Sequence, residues 1–243
     1  MRSERIAIFF IAFAPASCLL NWDSLREPDG GVDASGDDVT TDTFVTDGST
    51  NDVNDAGSDV NPPCDLQVTI NEVKADGVQG PSDEFVELRN SASCGGSLLN
   101  WTLRYSSAGG SSPSQLWIGQ AGDTIGPAGP NGYVILGGFA FQAPDGGNLI
   151  GRISTDLNGS LSKTGGGVGL FGPPPNVPFV DGVAYETLTT QTHPFIQPGD
   201  AGSTGGAPNP PSGKSIARTP DGHNTGTSAT DFQIATPTPG FSN

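Results

Sequence analysis

Leu66, Val68 and Ile70 alternate with Gln67 and Thr69, the period-two signature of a strand with one buried face. The alternation breaks at Asn71-Glu72-Val73, which predicts either a bulge or a polar residue turned inward with a partner. A second run follows, in which Val86 and Leu88 alternate with Glu87 and Arg89. Shorter apolar runs predict strands at residues 99–105, 115–118, 133–136, 149–153, 168–171, 179–185 and 215–218. Turns rich in Gly and Pro separate them, among them Gly126-Pro127-Ala128-Gly129-Pro130 and Gly172-Pro173-Pro174-Pro175. No helical period appears after residue 64. Many short strands between such turns predict an all-β sandwich or barrel.

Composition agrees, because 36 glycines and 21 prolines weigh against helix, where Gly costs about 1 and Pro about 3 kcal/mol in the interior. Charge divides the chain further. Residues 19–61 hold eleven acids against the single base Arg26, out of a total net charge of -16. From Pro28 to Pro63 the residues are mostly Asp, Gly, Ser, Thr, Asn and Val. Such a segment cannot bury enough apolar surface to offset its conformational entropy, so residues 18–63 are expected to form a disordered, self-repelling tether. The folded unit is expected over residues 64–243, and its residual negative charge argues against nucleic-acid binding.

The chain begins with Arg2 and Arg5, then nine apolar residues from Ile6 to Ala14, then Ala16 and Ser17. That is the anatomy of a secretory signal peptide over residues 1–17; the run is too short for a bilayer, which needs about 20 apolar residues. Pro15-Ala16-Ser17-Cys18 resembles a bacterial lipobox. The resemblance implies an acylated Cys18 as the mature N-terminus and, with Leu19 next, an outer-membrane or cell-surface destination. Pro15 stands where that motif usually has Leu, which leaves cleavage after Ala16 open. If Cys18 carries the lipid, the other two of the three cysteines, Cys64 and Cys94, form an even pair. They fall just before the first strand and just after the second. A bridge between them would close about 30 residues, worth roughly 3 to 4 kcal/mol in the chain-entropy model.

Several blocks then recur in order. Ile70-Asn71-Glu72-Val73, Glu84-Phe85-Val86-Glu87-Leu88 with Asn90, and Trp101-Thr102-Leu103 open the folded part. Gly132-Tyr133-Val134-Ile135-Leu136, Val180-Asp181-Gly182-Val183-Ala184-Tyr185, Lys214-Ser215-Ile216-Ala217-Arg218 and the ending Thr236-Pro237-Thr238-Pro239-Gly240-Phe241-Ser242-Asn243 follow. From about residue 68 onward this resembles the lamin-tail domain family. The resemblance implies an immunoglobulin-like β-sandwich, with Trp101, Leu103, Phe85, Leu88, Val134, Leu136, Leu170, Val183 and Tyr185 between its sheets. Asn100 stands where the family usually has Gly, and residues 188–212 look inserted. Bacterial members often accompany surface hydrolases or nucleases, so the implied role is a non-catalytic display module for a protein or polymer partner.

Candidate chemistry is sparse, and no cofactor is implied. Glu72, Glu84 and Glu87 crowd adjacent strands. With Lys74 and Arg89 two residues away, cross-strand ion pairs on a solvated face are expected; a calcium-dependent hydrolase using these carboxylates is the alternative. Asp52-Val53-Asn54-Asp55-Ala56-Gly57 comes near the start of a calcium loop, but Ala56 replaces a ligand and no closing glutamate follows. His193 and His223 lie in loop-like surroundings without a G-x-S-x-G nucleophile run, so both are expected at the surface. Ser212-Gly213-Lys214-Ser215 lacks the upstream glycine of a phosphate loop, having Pro208 there. Two cysteines and two distant histidines make no zinc spacing. Trp22 lies upstream of the folded unit, Trp101 is expected in the core, and Trp117 either there or exposed as an anchor for a partner.

Overall fold

The structure is a computed structural model that describes residues 64–76, 82–110, 112–153, 161–185, 193–200 and 206–243. The leader, Cys18, Trp22, the acidic tether and its near-match to a calcium loop lie outside the described residues. In chain order the strands are β1 (Val68–Lys74), β2 (Phe85–Asn90), β3 (Gly96–Ser97), β4 (Thr102–Ser107), β5 (Ser114–Ile118) and β6 (Thr124–Ile125). They continue with β7 (Tyr133–Gly137), β8 (Leu149–Arg152), β9 (Gly166–Phe171), β10 (Phe179–Tyr185), β11 (Ser215–Arg218) and β12 (Phe232–Ala235). One short helix, α1 (Ser228–Asp231), precedes β12.

These strands form an all-β sandwich. One sheet has the order β12-β11-β1-β2-β7-β8, the other β10-β9-β4-β5, and β3 pairs with β6 at the side. Among the described strands every pairing is antiparallel except β7 with β8. Inward side chains from both sheets form one core, which includes Ile70, Leu88, Leu103, Val134, Leu170 and Val183. Trp101, Leu136 and Tyr185 belong to it as expected, and so does Trp117, which is therefore core rather than an exposed anchor.

Phe85 is a correction. Val86 and Leu88 face the core, and neighbouring strand residues point to opposite faces, so Phe85 must face away. There it packs with Ile135 and Phe141 in a second, smaller cluster. Some β4 residues also shift: the strand begins at Thr102 rather than 99, because Asn100 turns with φ 63°. Asparagine is among the few non-glycine residues that adopt this left-handed conformation readily, which accounts for Asn in a position where the resemblance suggests Gly.

Part of the region that looks inserted is integral to the fold. His193 and Phe195 lie against Gly167 and Gly169 of β9, so close that a Cβ on either glycine would meet a ring atom at 2.4 Å. Phe195 also meets Phe171 edge-on at 6.1 Å. His193 is buried, correcting the expectation of a surface residue; its Nδ1 accepts the Phe195 N–H at 3.2 Å. Burial holds its pKa below the ordinary value. His223 is exposed.

Cys64 and Cys94 are disulfide-bonded, with Cα atoms 6.0 Å apart and a sequence separation of 30. The bridge ties the approach to β1 to the segment after β2. Replacing both by serine is expected to lower stability by about 2 to 4 kcal/mol, read as a fall in the urea midpoint at unchanged slope. A midpoint within experimental error of wild type would mean the bridge constrains nothing.

Candidate functional site

The predicted break in β1 is a bulge. Ile70 pairs with Leu88 and Glu72 with Glu87, leaving Asn71 as the extra residue. The bulge puts both Asn71 and Glu72 on the face of the six-stranded sheet that points away from the core. It also sets Glu72 directly opposite Glu87, a pairing that is unfavourable when both are charged.

Neither glutamate is solvated. Both are fully buried, because the last residues of the chain cross over them. The Glu72 carboxylate accepts hydrogen bonds from the Ser215 hydroxyl and from the Thr238 N–H at 3.2 Å. Glu87 accepts from Asn71 Nδ2 at 2.9 Å and from the Gly240 N–H. Asp221 secures the end of the segment, accepting from Asn243 N at 3.2 Å and Asn243 Nδ2 at 2.9 Å. It also accepts a hydrogen bond from the Tyr133 hydroxyl at 2.8 Å. Residues 236–243 thus form a strap whose backbone N–H groups are received by carboxylates of β1 and β2.

This arrangement corrects the expected ion pairs on a wet face. Lys74 pairs with Asp83 at 3.1 Å, and Arg89 stacks over the Tyr133 ring at 4.4 Å. Burial raises Glu72 to about 7 against the donors that hold it down, and raises Glu87 to about 8, with Glu72 itself contributing. Burial and the bond to Asp221 raise Tyr133 to about 12. Glu84 accepts the Leu161 N–H at 2.9 Å. Among the described residues no group of three or more His, Cys, Asp or Glu side chains is placed to hold a metal ion. Ser215, in the run that fell short of a phosphate loop, is buried in β11 and bonded to Glu72.

A second polar node went unread in the sequence. β11 pairs with β1 only at Glu72 and Val73, so the backbone of Ile70 lies beyond the end of that ladder. Asp181 of β10 reaches across from the other sheet and accepts the Ile70 N–H at 2.8 Å. Arg218 Nε donates to the Ile70 carbonyl at 2.7 Å. The fully buried Arg218 also pairs with Asp181 at 2.9 Å and Asp231 at 2.8 Å, and lies over the Phe232 ring at 4.5 Å. Gln197 Nε2 and Asn224 Nδ2 complete the donors to the Asp181 carboxylate, at 2.7 and 3.0 Å. Each member binds another part of the frame, so the node fastens the two sheets together. Its only trace in sequence is a lone charge within each of two strand-like runs, Val180-Asp181-Gly182-Val183 and Ile216-Ala217-Arg218.

Beside the strap the surface is concave. A cavity of about 660 Å³ lies between the strap and the Phe141 loop, lined by Lys74, Asp83, Phe85, Phe141 and Phe241 among others. Another of about 410 Å³ lies on the far side of Phe241, against Tyr133 and Pro130. No protein-family model matches the chain, and no curated protein matches it.

Proposed function

We propose that this chain is a non-catalytic cell-envelope protein that displays a lamin-tail-like, immunoglobulin-like sandwich as a binding module for a protein or polymer partner. In this reading residues 1–17 direct export, Cys18 carries the lipid, and the acidic tether holds the module away from an outer membrane or cell surface. The observation that carries it is where the resembling blocks fall. Ile70 to Val73 is the bulged strand, Val180 to Tyr185 and Lys214 to Arg218 hold the buried ionic node, and Thr236 to Asn243 is the strap. Each block has a structural task in one frame, which supports a shared architecture. The buried carboxylates Glu72 and Glu87 receive backbone N–H groups of the strap, which favours a scaffold role for them over the calcium-dependent alternative. No helix among the described residues is long and apolar enough to cross a membrane; anchoring in this reading rests on Cys18 alone.

Fractionation of the producing cells, with mass spectrometry of the mature N-terminus, tests it. The expected result is an envelope-bound protein beginning at an acylated Cys18, and release of a Cys18→Ser variant from the membrane fraction. A soluble wild-type protein beginning elsewhere overturns the anchoring.

A further inference from the structure

The two cavities beside the strap are parts of one trough. They share Phe241, a residue 48% exposed. A third cavity, of about 240 Å³, extends the second and shares Pro130, Asn131, Tyr133, Gly146 and Gly240 with it. Aromatic and proline surfaces line the trough along with amides. Gln142, Asn131 and Asn148 are exposed at its edges, and among the described residues their side chains make no hydrogen bond within the protein. Among the described residues its only charged lining side chains, Lys74 and Asp83, pair with each other at 3.1 Å. Residues 64–243 hold 14 acids against 7 bases, so a trough without a free charge stands apart from the net negative charge of the folded unit.

Aromatic faces with a few polar groups that fix orientation are what a ligand site needs. Amide side chains offer both donors and acceptors, which suits hydroxyl groups, themselves both. A pyranose ring combines an apolar C–H face with a hydroxyl rim. A polyanion would meet the acidic chain unfavourably, and a polycation would find no free carboxylate in the lining. We propose that the trough binds a neutral polysaccharide chain, with a sugar ring stacked on Phe241 and hydroxyls bonded to Gln142, Asn131 and Asn148. This rests on the display-module reading and names its partner class.

The test is affinity electrophoresis of the full chain in detergent through gels containing dextran, mannan or alginate, with sedimentation onto cellulose and chitin and titration with poly-L-proline. Binding to at least one neutral polysaccharide is expected. Phe241→Ala should weaken it about tenfold or more, in keeping with the loss of one well-stacked aromatic contact, and Gln142→Ala/Asn148→Ala should weaken it further. Phe179→Ala removes an aromatic residue of comparable exposure, 42%, on the other sheet and should leave binding unchanged. Phe241 lies outside both hydrophobic clusters, so an unaltered urea midpoint is expected for its variant. Binding to alginate or poly-L-proline alone, to no polysaccharide, or undiminished by Phe241→Ala in a folded protein, overturns the proposal. Fractionation of the same strains separates this from the reading it rests on. A soluble wild type that binds a neutral polysaccharide through Phe241 overturns only the anchoring, and an envelope-bound protein that binds none overturns only the ligand.

Discussion

Replacing Arg218 with Met is expected to destabilise the folded unit by about 3 to 5 kcal/mol, the usual cost of removing one partner from a buried ion pair. The side chain is fully buried, and its loss would strand both Asp181 and Asp231 as charges without a counterion. Attraction alone does not account for the cost. Removing Arg218 also orphans the Ile70 carbonyl and the His223 carbonyl, which accepts from Nη1 at 2.8 Å. Thermal denaturation should show a fall of roughly 10 °C. A second feature distinguishes this mechanism from simple loss of packing. Burial already raises the Asp181 carboxyl above its ordinary value with Arg218 opposing; without Arg218 acidification neutralises Asp181, so the gap between wild type and variant should narrow as pH falls. A loss under about 1 kcal/mol, or a gap independent of pH, would mean that Asp181 and Asp231 need no counterion. Arg218→Lys keeps the charge but not the fork of donors, and should recover only part of the loss.

The strands were largely legible because each carries its own record of which face is buried. Ile70, Val86 and Leu88 announce their face by alternation, and the break at Asn71 announces the bulge. β12, with only Phe232 buried and Gln233 and Ile234 exposed, has too short a pattern to be read. What could not be read is whatever covers a face from far along the chain. Glu72 and Glu87 sit at outward positions, and alternation says that such residues are wet. They are dry because Thr238 and Gly240 lie over them, 166 and 153 residues later. The resemblance places Phe85 in the core, although the parity of its own strand turns it outward to Phe141. His193 lies in a loop and reads as a surface residue because its burial depends on small residues elsewhere, Gly167 and Gly169, that leave room for the rings. Asp181 and Arg218 complete the backbone of Ile70, separated from it by 111 and 148 residues. Local pattern does not encode pairings at such distances.

The strap makes the folded unit sensitive to alkali in a direction opposite to that of ordinary surface carboxylates. Glu72 and Glu87 have folded-state values near 7 and 8 against an unfolded value of 4.5. Between those limits the folded chain holds protons that the unfolded chain has released. Their contribution to stability is therefore full below about pH 4.5 and is lost as pH rises through 7 to 8. At about 1.4 kcal/mol for each unit of displacement, a loss of roughly 3 kcal/mol or more is expected between about pH 5 and pH 8.5. Several other groups face the pair. Lys74 lies near Glu72 and steadies its charged form, whereas Asp221 opposes charge on both glutamates. Asp221 is itself held below its ordinary value by the hydrogen bonds it accepts, so its own contribution is lost only in stronger acid. Tyr133, at about 12, does not titrate in the window. The variant Glu72→Gln/Glu87→Gln removes the protons in question while keeping oxygens for Thr238 and Gly240. Urea denaturation across the window should show wild type weakening with pH and the double variant nearly flat over the same range. Hydrogen exchange should place the loss in the strap, with the Thr238 and Gly240 amides losing protection in wild type as pH rises, after correction for intrinsic exchange. Equal slopes in the two proteins would show that the carboxylates are charged throughout and that their bonds to the strap compensate fully for their burial.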